Sequence, residues 1–189
     1  MDESGREVAN GECRFCIPVV RNLIEYGVII GWWLLGWWMI RWWGAANPWW
    51  AAVVITACWL KTVFFGGENL RQLYEAARSN LAHHRFMLLM GINMSQMILS
   101  FALDFHLLHL LDPNSFSGVS PEVSTFEAVF DYFYLSTLNF SFFGYSDILP
   151  QTIPAKVANL TEIVLAFVTV IFLLSDFVSL KESLRGIRR

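Results

Sequence analysis

The chain has 189 residues, of which 56% are apolar, 16% aromatic and only 15% charged, far from the soluble average of about a quarter charged. This composition is that of a membrane protein. The formal net charge of −3, with no basic run before the C-terminal tail, gives no electrostatic footprint for nucleic acid, and three cysteines (Cys13, Cys16 and Cys58) cannot build a disulfide framework.

The opening MDESGREVANGEC is polar and acidic, unlike the basic stub and short apolar core of a cleaved signal peptide. Residues 1–17 are therefore expected to form a cytoplasmic tail. A bilayer core about 30 Å thick takes about 20 apolar residues as a helix, and four spans are expected, near 23–43, 49–65, 86–111 and 157–180. The first two make a peripheral transmembrane hairpin over 18–66. Its nine tryptophans stand in pairs at 32–33, 37–38, 42–43 and 49–50, plus Trp59. The pairs at 42–43 and 49–50 flank AANP and suit an outer aromatic belt, while the deeper ones face lipid or pack between helices. The second span is the weakest, being short and carrying Lys61 near its end, where a lysine reaches the interface.

In the 67–84 linker, Leu70, Leu73, Ala77 and Leu81 recur at helical spacing among charges. This reads as an amphipathic helix on the cytoplasmic interface or an extension of the third span. On that third span Asn93, Gln96, Ser100 and Asp104 form a polar stripe, expected to turn toward the pore helix or the fourth span. Glu162 lies at a similar depth and is placed to share a hydrogen bond or proton with it. His106, His109 and Asp112 fall at i, i+3 and i+6, weighed as a metal or external-pH site against simple interfacial packing. No third strong ligand stands beside them. The pair Cys13-x-x-Cys16 lacks a second pair, so a zinc site would have to be shared between subunits.

About 45 residues separate the third and fourth spans. Ser124 followed by Glu127 is a capping-box pattern, and FEAVFDYFYLSTL is too short to cross a bilayer but long enough for a half-depth helix. A helix that enters without exiting returns as irregular chain, tolerated only where it is buried in protein or lines a water-filled cavity. Gly144 removes bulk where backbone must approach something closely. Span, half-helix, irregular return and span together describe an ion-channel pore loop.

Within the last span Asp176 is expected to face away from the axis, toward His84 or Arg85. Lys and Arg fall before the first span, around the second-to-third connection and after the fourth; only Arg41 and Lys156 lie on the other side, which makes both termini cytoplasmic. Phe86 to Ala155 contains no Lys or Arg but holds Asp104, Asp112, Glu122, Glu127, Asp131 and Asp147. An acidic outer face of this kind concentrates cations, or is merely a solvated loop.

The segment DYFYLSTLNFSFFGYSDILPQT, Asp131 to Thr152, resembles the pore signature of the tetrameric potassium channel family, through Asp131, Tyr134, Ser136, Ser141, Gly144, Tyr145, Asp147 and Pro150. The resemblance covers residues 86–180. It implies an all-α membrane protein with four transmembrane helices per chain, a re-entrant pore helix and filter between helices 3 and 4, and a homotetramer in the lipid bilayer. The pore domain would span 85–180, followed by a cytoplasmic tail at 181–189. It implies a selectivity filter of Ser141, Phe142, Phe143, Gly144, Tyr145, Ser146 and Asp147, braced by a Tyr134–Asp147 bond. Phe167, Val170, Leu174 and Val178 would line the inner pore, all apolar as suits a dewetting gate, with Ala166 at the family's hinge-glycine position.

Departures bear on selectivity. Phe142 replaces the family's inner threonine and Phe143 its valine. Ser146 replaces the second glycine, where a positive φ is expected at a steric cost. The resemblance implies no enzyme activity and no cofactor beyond a permeant monovalent cation, potassium and with this filter also sodium. Without an arginine ladder the first two spans are no voltage sensor, and gating falls to short cytoplasmic pieces or to an unidentified ligand or partner protein. The alternatives are a non-conducting regulatory subunit with a degenerate filter and, remotely, a membrane metalloenzyme built on His106 and His109.

Overall fold

The computed structural model describes the backbone of residues 3–43, 49–78, 83–119, 124–144 and 146–186, with side chains chiefly within 21–71 and 87–174. Five α-helices carry the fold: α1 (Glu3–Trp43), α2 (Trp49–Arg78), α3 (His83–Leu111), α4 (Thr125–Ser141) and α5 (Ile153–Gly186). A short 3₁₀ turn (Pro113–Ser115) and two two-residue strands, β1 (Phe116–Ser117) and β2 (Leu149–Pro150), stand between them. The protein is an all-α membrane protein. Among the described residues three stretches are long and apolar enough to cross a bilayer: Arg21–Trp42, Met90–Leu111 and Ile153–Ile171. The fourth expected stretch is shorter on this measure, Ala52–Phe64 within α2.

Helix α3 is the hub, because nearly every residue from Ser100 to Leu108 is buried and its turns meet α1, α2, α4 and α5. The helices that carry residues 18–66 pack mainly on the rest of the fold. Among the described residues α1 packs on α3, α2 packs on α3 and α5, and the two scarcely touch each other. A cleft of about 700 Å³ lies between them, lined by apolar side chains such as Val28, Trp32, Val53 and Leu60. The 67–84 linker is likewise no separate interfacial helix, since α2 continues through Gly66 and Gly67 to Arg78.

The helix expected between the third and fourth spans is α4, 17 residues and so about 26 Å long, longer than the half-depth expected of it. It starts where expected: Ser124 Oγ accepts from the Glu127 N–H, and the Glu127 carboxylate accepts from the Ser124 N–H at 2.8 Å. Its inner face buries Ala128, Tyr132, Leu135, Ser136 and Phe140. Tyr132 is fully buried, packed edge-on against Phe116 and His106.

After α4 the chain turns back to the segment that preceded the helix. Strand β2 pairs antiparallel with β1, in the register Phe116 to Pro150 and Ser117 to Leu149, and the Gln151 N–H donates to the Ser115 carbonyl at 2.8 Å. Gly118 makes this return possible. It holds φ +88°, and a Cβ there would sit 2.1 Å from the Asp147 carbonyl oxygen.

Candidate functional site

The loop between α4 and β2 is built from two left-handed residues. Phe142 ends α4 at φ 56°, its N–H donating to the Asn139 carbonyl at 3.2 Å, and Gly144 follows at φ +64°. Ser146 does not take the positive φ expected of it: among the described non-glycine residues Phe142 alone does. Instead the Ser146 hydroxyl accepts from the Ile148 N–H at 3.1 Å, a local turn that serine supplies and glycine cannot. A Cβ on Gly144 would meet nothing within 4 Å, so within one chain that glycine is needed for its backbone angle rather than for close approach. Ser141, Phe142, Phe143, Gly144 and Asp147 are all exposed, Phe143 at 79%. Tyr145 lies outside the described residues.

Behind this loop the helices converge on one carboxyl group. Glu162 of α5 is wholly buried, hydrogen-bonded to Ser136 Oγ and accepting from Asn139 Nδ2 at 2.5 Å. Asn139 Nδ2 also donates to Asn159 Oδ1 at 2.8 Å, and Ser136 Oγ to the Ile98 carbonyl of α3 at 2.9 Å. Nothing in the local spacing marks Asn139 or Asn159. The signal was Glu162 itself, a carboxyl group in an apolar span whose partner is a functional candidate.

The brace expected between Tyr134 and Asp147 is not formed within one chain, where the Tyr134 ring is 52% exposed and no hydrogen bond joins the two. Of the expected inner-pore residues, Phe167 and Leu174 are exposed and Val170 is half-buried. The structure brings Phe142 and Phe167 together, edge to face, with ring centroids 6.3 Å apart. The side chains of Val178, Cys13, Cys16, Asp176, His84 and Arg85 lie outside the described residues.

Two members of the polar stripe of α3, Gln96 and Asp104, bond to the N-terminal helices rather than to the pore helix. Gln96 donates to Glu25 of α1 at 3.0 Å, and Asp104 accepts from Lys61 Nζ of α2 at 2.5 and 2.6 Å and from Cys58 Sγ at 3.2 Å. Lys61 is thus held inside the fold by Asp104 rather than at the interface. It drops out of the positive-inside count, and Asp104 drops out of the acidic outer face. Among that face's other members, Asp112 caps the 3₁₀ turn by accepting from the Asn114 N–H at 2.9 Å, and Glu127 caps α4. The Ser124 N–H holds the exposed Glu127 carboxyl below the usual carboxylate range.

His106, His109 and Asp112 are not gathered around a point. His106 Nδ1 accepts from Trp33 Nε1 at 3.2 Å, and His109 packs on Tyr132. Among the described residues no group of three or more His, Cys, Asp or Glu is arranged to hold a metal ion. Comparisons with protein-family models, with curated proteins and with solved structures give no match.

Proposed function

We propose that the chain is one subunit of a potassium-channel-like tetrameric cation channel, in which α4 is a re-entrant pore helix and residues 141–147 form a filter of altered, weakly selective type. The observation that carries this reading is the path of the chain. A capped 17-residue helix, shorter than the two bilayer-length helices that flank it, ends in exposed irregular backbone, and the chain then returns to pair with strand β1, which precedes the helix. Irregular backbone at membrane depth needs protein or water around it, and one chain leaves this segment uncovered. Four copies around an axis supply both a wall and a ring of carbonyls to replace an ion's water shell.

Two exposed faces support assembly. Leu160, Val164, Phe167, Ile171 and Leu174 of α5 are exposed at spacings of four, three, four and three, the period of a helix seam that packs on a like helix. On α4 the exposed face runs from Phe126, Phe130 and Tyr134 to Thr137 and Ser141, and the hydroxyls at its filter end suit a subunit interface better than lipid. In this assembly α2 is the fourth span. Its hydropathy is lowered by Lys61, whose charge Asp104 neutralises within the fold. Both termini are cytoplasmic, and the outer mouth carries Asp147.

Phe142 is the residue by which this filter differs most from its potassium-selective likeness. Its ring meets Phe167 where the loop joins the cavity, so permeation should be sensitive to it. Purified protein should run as a tetramer by native mass spectrometry and pass cation current in planar bilayers. Phe142→Ala should raise unitary conductance several-fold. A monomer, or a conductance unmoved by Phe142→Ala, would sink the reading.

A further inference from the structure

We infer that Glu162 is a neutral carboxylic acid, and that as a hydrogen-bond donor it is the positioning residue that fixes the loop after α4 against α5. The functional half of this inference rests on the pore reading above. The chemical half does not.

Ser136 and Asn139 have few protons to share among the acceptors around them. Ser136 Oγ lies 2.9 Å from the Ile98 carbonyl oxygen and within hydrogen-bonding distance of Glu162 Oε1. A serine hydroxyl has one proton to give, and a carbonyl oxygen can only accept. A neutral Glu162 serves both contacts at once: the Ser136 proton goes to Ile98, and the carboxyl proton makes the contact with Ser136. Asn139 has two amide protons, and both are used, one toward Asn159 Oδ1 at 2.8 Å and one toward Glu162 Oε2 at 2.5 Å. In this assignment Oε1–H donates to Ser136, Oε2 accepts from Asn139, and each proton serves one bond. An ionised Glu162 would be acceptor-only, and the single Ser136 proton would then face two acceptors, Glu162 Oε1 and the Ile98 carbonyl.

The charges around the site agree. Of the ionisable groups on the surrounding helices, which include His106 and His109 on α3, Asp131 and Tyr132 on α4 and Lys156 on α5, the ones that act on Glu162 are Asp104 on α3 and Cys58 on α2. Lys61 is engaged by Asp104 at 2.5 Å, a pair with no net charge to offer a second carboxylate. From α4 come the uncharged Ser136 and Asn139. Among the described residues no Lys, Arg or His side chain bonds to Glu162. A fully buried, uncompensated carboxylate is far costlier than its protonated form.

The consequence for the loop is direct. The Phe142 N–H donates to the Asn139 carbonyl at 3.2 Å, and the Asn139 side chain is held by Glu162 and Asn159. The first left-handed residue of the loop is thereby referenced to α5 through one amide, while Ser136 ties the same acid to α3. Glutamine offers the same pattern as a neutral acid, one N–H toward Ser136 and one carbonyl toward Asn139. Alanine offers neither.

The test pairs infrared spectroscopy with permeation on the intact purified assembly. The difference spectrum of wild type against Glu162→Gln should contain the carbonyl band of a protonated carboxyl group at neutral pH. In bilayers Glu162→Gln should keep the wild-type potassium-to-sodium permeability ratio, and Glu162→Ala should shift it several-fold. Should Glu162→Ala not assemble, Ser136→Ala removes only the relay hydroxyl and carries the same expected shift. Absence of the band, or a glutamine variant that behaves like the alanine one, overturns the neutral acid. An intact Glu162→Ala assembly with an unchanged ratio overturns the positioning role. A wild type that passes no current overturns the pore reading and the positioning role with it, and the infrared result is then read by itself.

Discussion

Gly118 and Gly144 both hold left-handed backbone, yet they answer to different constraints. At Gly118 a side chain would meet the Asp147 carbonyl at 2.1 Å as well as an unfavourable φ of +88°; at Gly144 only the angle resists. Left-handed strain alone costs an alanine about 1–2 kcal/mol. Gly144→Ala should lose about that much in thermal unfolding in detergent micelles, and Gly118→Ala distinctly more, because backbone rather than a flexible side chain must move. The sequence singled out Gly144 because it sits in a recognisable loop. Gly118 carries no local signal, since its need arises only when β1 meets a strand some thirty positions later. Ser146 shows the opposite error. Reading it as a strained glycine substitute overlooked the hydroxyl, which accepts from the Ile148 N–H and makes a turn of its own.

Element by element, what was legible depended on sequence distance. The α4 cap was plain because Ser124 and Glu127 stand three residues apart, and Ser124→Ala should cost about 1 kcal/mol of stability in denaturant titrations. The Glu127 carboxyl is held below its ordinary range in the folded protein, so its contribution is complete above that ordinary range and is lost as pH falls through the lowered value. Stability measured down an acid pH series should show this decline in wild type, and Glu127→Gln should lack it. The docking of α2 was not legible, because Lys61 and Asp104 are 43 positions apart and either has several plausible partners in an unfolded reading. Asp104 is buried and Lys61 only partly so; removing Lys61 leaves an uncompensated carboxylate, and Lys61→Met should destabilise by about 3 kcal/mol, the low end for a buried pair. The double variant Lys61→Met with Asp104→Leu should recover most of that loss in thermal melts. A double variant no more stable than the single would show that the pair is not what fastens α2 to α3.

For the whole molecule, the all-α membrane architecture was readable from long apolar stretches, and α4 from a stretch too short to cross. The arrangement of the N-terminal helices was not, because hydropathy says that α1 and α2 are apolar without saying which neighbour each prefers. They divide between α3 and α5 and leave a cleft between themselves. In the proposed tetramer the exposed seam of α5 and the uncovered loop after α4 would be covered by neighbouring copies. The central claim is that cations cross the membrane through residues 141–147 of such an assembly. It is tested most directly by the reversal potential of purified, tetrameric protein in a planar bilayer across a potassium chloride gradient. Cation conduction requires a reversal displaced toward the cation equilibrium potential; a reversal at the chloride potential, or no current from an intact tetramer, would rule it out.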